Sequence, residues 1–360
     1  MRVTLLSKAL VVGAYQRKCE LIAAHHDIEL TALVPPAWGS QRLERVHTQG
    51  YDLRDIPMRF NGNFHLHYYP TLASELKRSR PDVFHIDEEP YNLATWLAMR
   101  SSRAKKNLFF TWQNLRRNYP PPFRWLEAAV LRNADAAIAG SEEAQQVWRA
   151  KGFARMMTVI PQFGVDEVAF CPQRHSQMER EIRIGFAGRL VREKGVDLLL
   201  RAIALSPDAK VIIAGEGPEA PALHTLAAQL GIAERVSWRG AVRSTEMPAF
   251  YRECDALVVP SRTLPNWKEQ FGRVIIEAMA CSVPVIGARC GEIPNLVGDA
   301  GLLFDEEDIA ALAAHIRNLQ AQPALRNALA KESRARVLAR FTMKRIADQT
   351  VEFYRALSCV

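Results

Sequence analysis

Two carboxylates bracket an apolar helical run in Glu269-Gln-Phe-Gly-Arg-Val-Ile-Ile-Glu277. The continuation, Glu277-Ala-Met-Ala-Cys-Ser-Val-Pro284, ends in a proline that stops the helix before the next strand. If Glu269 lies in a loop and Glu277 in the helix, the helical rise over about eight residues places the two carboxylates about 12 Å apart. That separation is too long for a close acid–base pair and suits the two ends of one extended ligand. A capped amphipathic helix with one solvated glutamate is the alternative interpretation.

On both sides of this stretch, short apolar runs alternate with segments of helical periodicity, which predicts parallel α/β sheets. The predicted strands are 3–6, 29–34, 83–86, 108–111, 136–139 and 157–160 in the first half, and 182–186, 210–214, 235–238, 256–259, 283–286 and 301–304 in the second. The predicted helices in the first half include 16–25, 70–78, 91–99 and 141–151, and an amphipathic helix over 343–357 ends the chain.

A chain of 360 residues is too long for one ordinary core, so two domains are expected. The polar stretch Cys171–Arg180 lacks periodicity and is interpreted as the connection between them. We therefore predict a Rossmann-like domain over 1–172, a linker over 173–181 and a second Rossmann-like domain over 182–340. A final helical segment is predicted over 341–360.

Composition limits the class of protein. The net charge of +8 favours acidic partners such as phosphates, anionic lipids or nucleic acid. The six cysteines form no Cys-x-x-Cys pair and no His/Cys cluster, so reduced thiols and no zinc site are expected. The sequence contains no Asp-x-Asp motif that would require a metal, and no apolar run long enough for a signal peptide or membrane span. We expect a cytoplasmic protein that can also lie on the inner face of the membrane.

Ligands of open parallel sheets bind outside the carboxyl ends of the strands, and here five consecutive strand exits are rich in glycine, proline and charge. Arg189 and Lys194 place a planar fork and an ammonium at one exit, which suits a diphosphate, although a solvated basic turn is the alternative. The exits are Gly188-Arg189 to Lys194-Gly195, Gly215-Glu-Gly-Pro218, Gly240-Ala241-Val242, Pro260-Ser261 and Gly291-Glu-Ile-Pro294.

Together with Glu269–Gly272 and Glu277-Ala-Met-Ala, the order and spacing of these exits over 182–305 resemble the retaining GT-B glycosyltransferases of family 4. The resemblance implies a GT-B fold. That fold has two Rossmann-like domains whose parallel sheets face an interdomain cleft, with the C-terminal helix crossing back to the N-terminal, acceptor-binding domain. It also implies a nucleoside diphosphate (NDP) sugar as donor substrate and no required cofactor or metal.

The resemblance assigns roles by position. It implies that Arg189 and Lys194 clamp the donor diphosphate, that Glu277 binds the ribose hydroxyls, and that Glu269 holds the donor sugar. Arg189, Lys194 and Glu269, together with Gln113, are the expected catalytic residues. The expected donor-binding residues are Gly13, Gly188, Gly215, Gly240, Ala241, Val242, Phe271, Gly272 and Glu277.

The first half resembles the family more loosely, through Pro81–His85, Ala136–Ser141 and Pro161-Gln-Phe-Gly-Val-Asp166. Its main departure is Gln113, because many relatives carry a histidine near this position. Glutamine can orient a sugar but cannot titrate near neutrality. The acidic cluster His85-Ile-Asp-Glu-Glu-Pro90 is interpreted either as acceptor recognition or as a solvated helix start. The acceptor candidates are His85, Glu88, Trp112 and Asn114.

A basic and aromatic segment over 100–126 contains seven cations and no acid. It can dock anionic lipid headgroups or a lipid diphosphate acceptor, or it can be a basic surface over a buried strand. No recognised nucleic-acid motif accompanies it, so nucleic acid is not an expected partner. The cations are Arg100, Arg103, Lys105, Lys106, Arg116, Arg117 and Arg124.

The sequence thus predicts a retaining glycosyltransferase that moves a sugar from an NDP-sugar to a saccharide, lipid-linked or small-molecule acceptor, in cell-surface glycan or glycoconjugate biosynthesis. A non-catalytic nucleotide-sugar-binding protein of the same fold is the alternative. A nucleotide-cofactor oxidoreductase is disfavoured, because no strand is followed by a complete Gly-x-Gly-x-x-Gly.

Overall fold

The computed structural model describes residues 1–172 and 181–359. The described chain forms two compact units, one from Met1–Gly164 with the residues from Met343 on, and one from Val165–Thr342. The predicted linker over 173–181 lies outside the described residues except for Glu181. Each unit is built on its own parallel sheet.

In chain order, the strands are β1 Arg2–Leu6, β2 Glu29–Val34, β3 Ala37–Trp38, β4 Gln41–Arg42, β5 Asp52–Asp55, β6 Val83–Ile86, β7 Lys106–Thr111, β8 Ala136–Ala139, β9 Met156–Val159, β10 Ile182–Ala187, β11 Ala209–Ala214, β12 Val236–Gly240, β13 Ala256–Val259, β14 Val285–Ala288 and β15 Leu302–Phe304. The α-helices are α1 Arg17–Ala23, α2 Leu72–Ser79, α3 Leu93–Ser101, α4 Phe123–Asn133, α5 Glu142–Ala150, α6 Val196–Ala204, α7 Ala220–Gln229, α8 Met247–Glu253, α9 Arg273–Ala280, α10 Ile293–Val297, α11 Ile309–Ala321, α12 Pro323–Arg340 and α13 Met343–Ser358. Short 3₁₀ turns occupy Ala9–Val11, Gly13–Gln16, Arg192–Lys194, Ala233–Arg235 and Gly298–Ala300.

The sheet of the first unit has the strand order β5-β2-β1-β6-β7-β8-β9. The chain runs outward from β1 in one direction and from β6 in the other, so the two strands meet at a switch point where ligands of such sheets bind. Both faces are covered, because Val83 packs into one apolar cluster and its neighbour Phe84 into another.

Strand β5 was not predicted from the sequence. Its residues, Asp52–Asp55, form a polar edge strand whose outer carboxylates are exposed. An edge strand needs no alternating apolar pattern, because one side of its backbone faces no partner strand. The sequence therefore carried no signal for it.

The sheet of the second unit has the order β12-β11-β10-β13-β14-β15, with its switch point between β10 and β13. Strand β14 begins at Val285 and ends at Ala288, two residues later than the predicted 283–286. The physical reason lies in the preceding helix, because the Val283 amide donates to the carbonyl of Ala278 and so belongs to the turn that ends α9.

The change from one unit to the other lies at Gly164 and Val165, whereas the sequence prediction ends the first domain at residue 172. The Val165 amide donates to the carbonyl of Phe341 at 2.9 Å, and Val165 forms a parallel bridge with Thr342. These bonds tie the segment to the end of α12, within the second unit. Pairing between residues so distant in sequence leaves no local signal.

The last helix, α13, belongs to the first unit, as the family resemblance implies. Its apolar face packs on α1 and shares one core cluster with Cys19 and Ile22. Ile346 and Tyr354 on this face are fully buried. Helix α13 is therefore part of the first unit's core.

We predict that Ile346→Ala lowers the free energy of unfolding of the first unit by about 2–5 kcal/mol, since it leaves a cavity between α13 and α1. The matched control is Glu352→Ala on the exposed face of the same helix. Urea unfolding followed by circular dichroism measures both variants. Equal midpoints for the two variants would show that α13 contributes little to this core.

Candidate functional site

Three glycines form one continuous backbone surface at the strand exits of the second unit. Gly188, Gly215 and Gly240 follow or end the neighbouring strands β10, β11 and β12. The Gly188 amide donates to the carbonyl of Ala214 at 3.0 Å, and the Gly215 amide donates to that of Gly240 at 2.7 Å. A Cβ atom on Gly215 would lie 1.8 Å from the Gly188 carbonyl oxygen, so no other residue fits there. The three exits are therefore packed closely on one another.

Arg189 and Lys194 lie on the loop that follows β10. Arg189 is exposed and sits 3.8 Å from Glu193. Lys194 ends the Arg192–Lys194 turn, and Gly195 then adopts a left-handed conformation with φ of 66°. A Cβ on Gly195 would lie 2.0 Å from the Pro260 carbonyl oxygen, so this glycine lets the β10 and β13 exits pack together.

Lys194 and Glu269, two of the predicted site residues, are joined directly. The Lys194 ammonium donates to Glu269 Oε2 at 2.6 Å, and the Ser261 hydroxyl donates to the same oxygen at 3.1 Å. The indole of Trp267 lies 4.9 Å from the ammonium, at cation–π distance. The Glu269 side chain is buried, so its charge is compensated by a fixed partner.

Glu277 occupies the middle of α9, while Glu269 lies in the loop before it, as the sequence predicts. Gly272 precedes the helix with φ of 79°. Glu277 accepts from the Tyr251 hydroxyl at 2.7 Å and pairs with Arg273 at 2.9 Å. Burial raises the pKa of Glu277 above its usual value, and Arg273 and Tyr251 oppose that rise.

The loop that ends β12 carries a contact that the sequence prediction missed. Gly240, Ala241 and Val242 were expected to lie beside a base. The Ala241 amide donates to Glu216 Oε1 at 3.2 Å, so Glu216 links the exits of β11 and β12. Tyr251, Trp267 and Glu216 were not predicted, because each acts through a partner distant in sequence. Phe271 packs partly buried against the core of this unit.

The backbone carbonyl of Glu269 is held by the exit of β14. The Glu292 amide donates to it at 3.1 Å, and a Cβ on Gly291 would lie 2.0 Å from the same oxygen. The predicted motif Gly291-Glu-Ile-Pro294 therefore supports the loop that carries Glu269. The exits of β10, β13 and β14 meet at this residue.

In the first unit, Gln113 is buried in the loop after β7, at 4% exposure. Its side-chain amide donates to the carbonyl of Leu115 at 2.9 Å, and its Oε1 has no hydrogen-bond partner among the described residues. Neighbouring Asn114 donates to Glu143 at 3.3 Å, and the Trp112 indole donates to Gln162 at 2.9 Å. The Gln113 side chain therefore has one buried oxygen that these neighbours leave unpaired.

The acidic cluster after β6 is buried, so its interpretation as a solvated helix start is wrong: Asp87, Glu88 and Glu89 are 7%, 2% and 8% exposed. Glu88 is bonded to Lys8, to His67 at 3.2 Å and to the Tyr69 hydroxyl at 3.1 Å. Burial lowers the pKa of Lys8 to about 8, against the opposing charges of Asp87 and Glu89.

His85 and Gly13 sit in different surroundings from the other candidates of the first unit. The His85 ring is buried within the sheet, 2.6 Å from the Tyr354 hydroxyl of α13, and burial holds its pKa well below the usual range. The Gly13 amide donates to Glu44 at 2.7 Å, and a Cβ on Gly13 would lie 2.3 Å from Val46. Each residue has a structural role in these contacts, and the acceptor role of His85 and the donor role of Gly13 stay predictions.

A metal site needs several ligating side chains close together, and a membrane span needs a long apolar helix. Within residues 1–172 and 181–359, the histidine, cysteine and acidic side chains form no group of three arranged to hold a metal ion. None of the helices in the same ranges combines the length and apolar character that a bilayer span requires.

Known families match almost the whole chain in two parts. Residues 15–167 match the family described as Glycosyltransferase Family 4, and residues 171–336 match Glycosyl transferases group 1. D-inositol 3-phosphate glycosyltransferase of Mycolicibacterium smegmatis is 34% identical over 258 residues, which cover 66% of this chain and 57% of that protein. The enzyme of the same name from Mycobacterium marinum is 32% identical over 256 residues, 65% of this chain and 53% of that protein. The chain spans about half the length of the curated relatives it matches.

Solved structures share the fold of this chain along its length. Sucrose-phosphate synthase from Thermosynechococcus elongatus superposes with a TM-score of 0.76 at 22% identity, covering 99% of both chains. Anabaena HepE, solved in complex with UDP-glucose, superposes with a TM-score of 0.73 at 20% identity, covering 99% of this chain and 100% of the other. These similarities confirm the predicted GT-B fold.

We predict that Tyr251→Phe destabilises the second unit by about 1–3 kcal/mol near pH 8, because it removes a donor from a buried carboxylate. The effect should shrink as the pH is lowered from there, since burial raises the pKa of Glu277 and a protonated, neutral carboxyl needs the donor less. Thermal unfolding of wild type and variant as a function of pH measures this difference. Tyr68→Phe is the control, because the Tyr68 hydroxyl has no hydrogen-bond partner in the described chain. An effect independent of pH would contradict the assigned link to Glu277.

Proposed function

Because this chain belongs to the group 1 glycosyltransferases and has the GT-B fold, we propose that it is a retaining glycosyltransferase that uses an NDP-sugar donor. The observation that carries the proposal is the Lys194–Glu269 ion pair beside the glycine surface of the strand exits. It puts a cation for a diphosphate and a carboxylate for sugar hydroxyls within one hydrogen bond of each other.

The donor diphosphate is assigned to the loop after β10. A Cβ on Gly215 would meet the Gly188 carbonyl oxygen, so glycine lets these two strand exits pack together, and we assign their backbone to the phosphate oxygens. Arg189 is exposed and supplies a planar fork, and Lys194 supplies a point charge that Glu269 and Trp267 hold in place. We assign charge stabilisation of the diphosphate leaving group to these two cations, with the charge of Lys194 partly balanced by Glu269.

The sugars at the two ends of the donor are assigned to the two carboxylates. Glu277 is held by Tyr251 and Arg273, and its carboxylate is an acceptor for ribose hydroxyls. Glu269 is an acceptor for hydroxyls of the transferred sugar. The position of Glu269 before α9 and of Glu277 within it gives them the separation that an extended donor needs.

The proposed reaction is a same-face displacement. The bond between the anomeric carbon and the diphosphate oxygen breaks, and the acceptor oxygen forms the new bond on the face that the diphosphate leaves. The acceptor proton moves to the departing phosphate oxygen, and the guanidinium of Arg189 and the ammonium of Lys194 stabilise the charge that develops on the diphosphate. This route needs no titrating side chain at position 113, and we assign the Gln113 side-chain carbonyl to a substrate hydroxyl.

The acceptor class is a saccharide, a lipid-linked glycan or a small polyol, in cell-surface glycan or glycoconjugate biosynthesis. Relatives named for D-inositol 3-phosphate and for GDP-mannose-dependent transfer to phosphatidylinositol monomannoside support this range. Lys8, Glu88, Trp112 and Asn114 follow strands β1, β6 and β7 of the first unit, and we assign these strand exits to the acceptor.

We also propose that the first unit docks on anionic membranes through a basic and aromatic surface. Trp125 is 62% exposed on α4, and Arg116, Arg117 and Arg124 beside it in sequence are exposed. Phe123 of this helix packs 4.9 Å from His65, whose neighbour Phe64 is 40% exposed. Exposed aromatic rings with clustered cations suit the interface of an anionic bilayer.

We predict that Lys194→Ala lowers kcat roughly a hundredfold to a thousandfold, because it removes charge stabilisation from the leaving diphosphate. A thermal-shift panel of nucleoside diphosphates first selects the base, and transfer and donor hydrolysis are then measured with matching NDP-sugars. Lys210→Ala, at an exposed ion pair on β11, is the control. Near-normal turnover in a folded Lys194→Ala protein would refute the assignment, and donor binding without any turnover in wild type would favour a non-catalytic binding protein.

Co-sedimentation with vesicles that contain anionic lipid tests the docking proposal. Neutralising three cations should weaken binding roughly a hundredfold at low salt, at about 1 kcal/mol per charge. Trp125→Ala should weaken binding at all salt concentrations, whereas the charge effect should fade as salt rises. The test variant replaces Arg116, Arg117 and Arg124 by Gln, and the control replaces the exposed cations Arg201, Arg243 and Lys331 of the second unit. Equal binding by both triple variants would end the proposal.

A further inference from the structure

Glu89 is a buried carboxylate at the exit of β6, and its contacts differ from those of Glu88. Its side chain is 8% exposed. Oε2 accepts from the Thr111 hydroxyl at 2.7 Å, and Oε1 accepts from the backbone amide of Trp112 at 2.7 Å. Both contacts lie at the end of β7, where the chain turns into the loop that carries Gln113. The carboxylate therefore holds a neighbouring strand exit.

The Thr111 hydroxyl links Glu89 to the backbone of Gln113 by hydrogen bonds. It donates to Glu89, and it accepts from the backbone amide of Gln113 at 3.1 Å and from the Trp148 indole at 2.8 Å. A hydroxyl has one hydrogen to donate and two lone pairs to accept with, so all its bonding capacity is used. Its hydrogen must point at Glu89, because two N–H groups already face its lone pairs.

The two contacts fix the backbone on both sides of the bond that joins Trp112 to Gln113. The Gln113 side chain is then held by its own bond to the Leu115 carbonyl, and its Oε1 has no partner in the described chain. A buried amide oxygen without a partner is uncommon in proteins and points to a ligand donor. The direction of this oxygen depends on where the backbone at Gln113 is placed.

We infer that Glu89 is a positioning residue for the transfer reaction, whose acceptor-only carboxylate fixes the Thr111–Gln113 turn and so sets the direction of the Gln113 side-chain carbonyl, an acceptor for a substrate hydroxyl. The inference rests on the proposed function, in which Gln113 binds the substrate. Glu89 does not touch the substrate in this scheme. It acts through Thr111 and the backbone of Trp112.

Only an ionised carboxylate satisfies this arrangement, because both of its partners donate. A protonated Glu89 would turn a donor towards the Trp112 amide or the Thr111 hydroxyl. Glu89→Gln has the same conflict at every pH, since its NH₂ group must face one of the two donors while the size of the side chain is unchanged. The inference therefore predicts a dependence on the charge of Glu89 rather than on its volume.

Burial and the neighbouring groups together bring the pKa of Glu89 near neutrality. Burial raises the pKa of Glu89 to about 7, and the bonds from Thr111 and Trp112 and the ammonium groups of Lys8 and Lys151 oppose that rise. Asp87 on the same strand exit and the Tyr91 and Tyr119 hydroxyls also lie in its electrostatic surroundings. The fraction of ionised Glu89 therefore falls as the pH drops through about 7.

Selective ¹⁵N-tryptophan labelling tests, without any substrate, whether Glu89 holds the Thr111–Gln113 turn. The chain has seven tryptophans, and Trp112→Phe identifies the Trp112 backbone signal. We expect the Trp112 amide proton to move upfield as the pH falls through neutrality in wild type, because its acceptor loses its charge. In Glu89→Gln the signal should be displaced and independent of pH. A Trp112 signal that does not titrate, or that titrates equally in Glu89→Gln, overturns the inference.

Kinetics then test the consequence for transfer. Glu89→Gln should lower kcat about tenfold to a hundredfold, the range for a lost hydrogen bond to a charged group, while the donor KM stays within about twofold. The acid limb of the wild-type kcat profile should disappear in this variant. Glu75→Gln, which removes a carboxylate elsewhere in the first unit, is the control. Unchanged kcat and an unchanged acid limb in Glu89→Gln would overturn the inference.

A second pair of variants covers the case in which Glu89→Gln does not fold. Thr111→Ser keeps the hydroxyl and should keep kcat within about twofold. Thr111→Val keeps the shape but removes the hydroxyl, so it should lower kcat as Glu89→Gln does. Equal kcat in the two Thr111 variants overturns the inference. If wild type transfers no sugar at all, the proposed function fails, and the tryptophan signals still decide whether Glu89 fixes the turn.

Discussion

The Lys194–Glu269 ion pair is the interaction on which the candidate donor site depends. Lys194 belongs to the exit of β10, Glu269 to the loop before α9, and Ser261 to the exit of β13. One carboxylate oxygen therefore binds residues from separate connections of the sheet. A buried charge tolerates this position only while its partner is present, so the pair holds the loops in place.

Glycine residues allow the strand exits to come close together around Glu269. Gly195 and Gly291 both adopt left-handed conformations, and a Cβ on either would lie 2.0 Å from a neighbouring carbonyl oxygen. Gly215 is packed against Gly188 in the same manner. The glycines let adjacent strand exits approach each other closely.

The first unit uses buried carboxylates for a different purpose. Glu88 is satisfied by Lys8, His67 and Tyr69, and Glu89 by the turn that follows β7. Each burial is unfavourable unless every oxygen has a donor, so these groups specify one arrangement of the strand exits. In the second unit Glu277 is fixed similarly by Tyr251. The two units thus position their candidate ligand groups by the same physical means.

The sequence by itself determined the parallel α/β class, most strands and the motif positions, since apolar runs and Gly or Pro breaks act locally. It also predicted roles for Lys194, Glu269 and Glu277 through a resemblance to a family in order and spacing of motifs. Only the tertiary structure decided that Glu269 pairs with Lys194 across 75 positions, that Tyr251 supports Glu277, and that Asp87–Glu89 are buried rather than solvated. It also decided the unit boundary at Val165, through a bond to Phe341. Burial and pairing depend on which distant elements pack together, and no local pattern of residues records that choice.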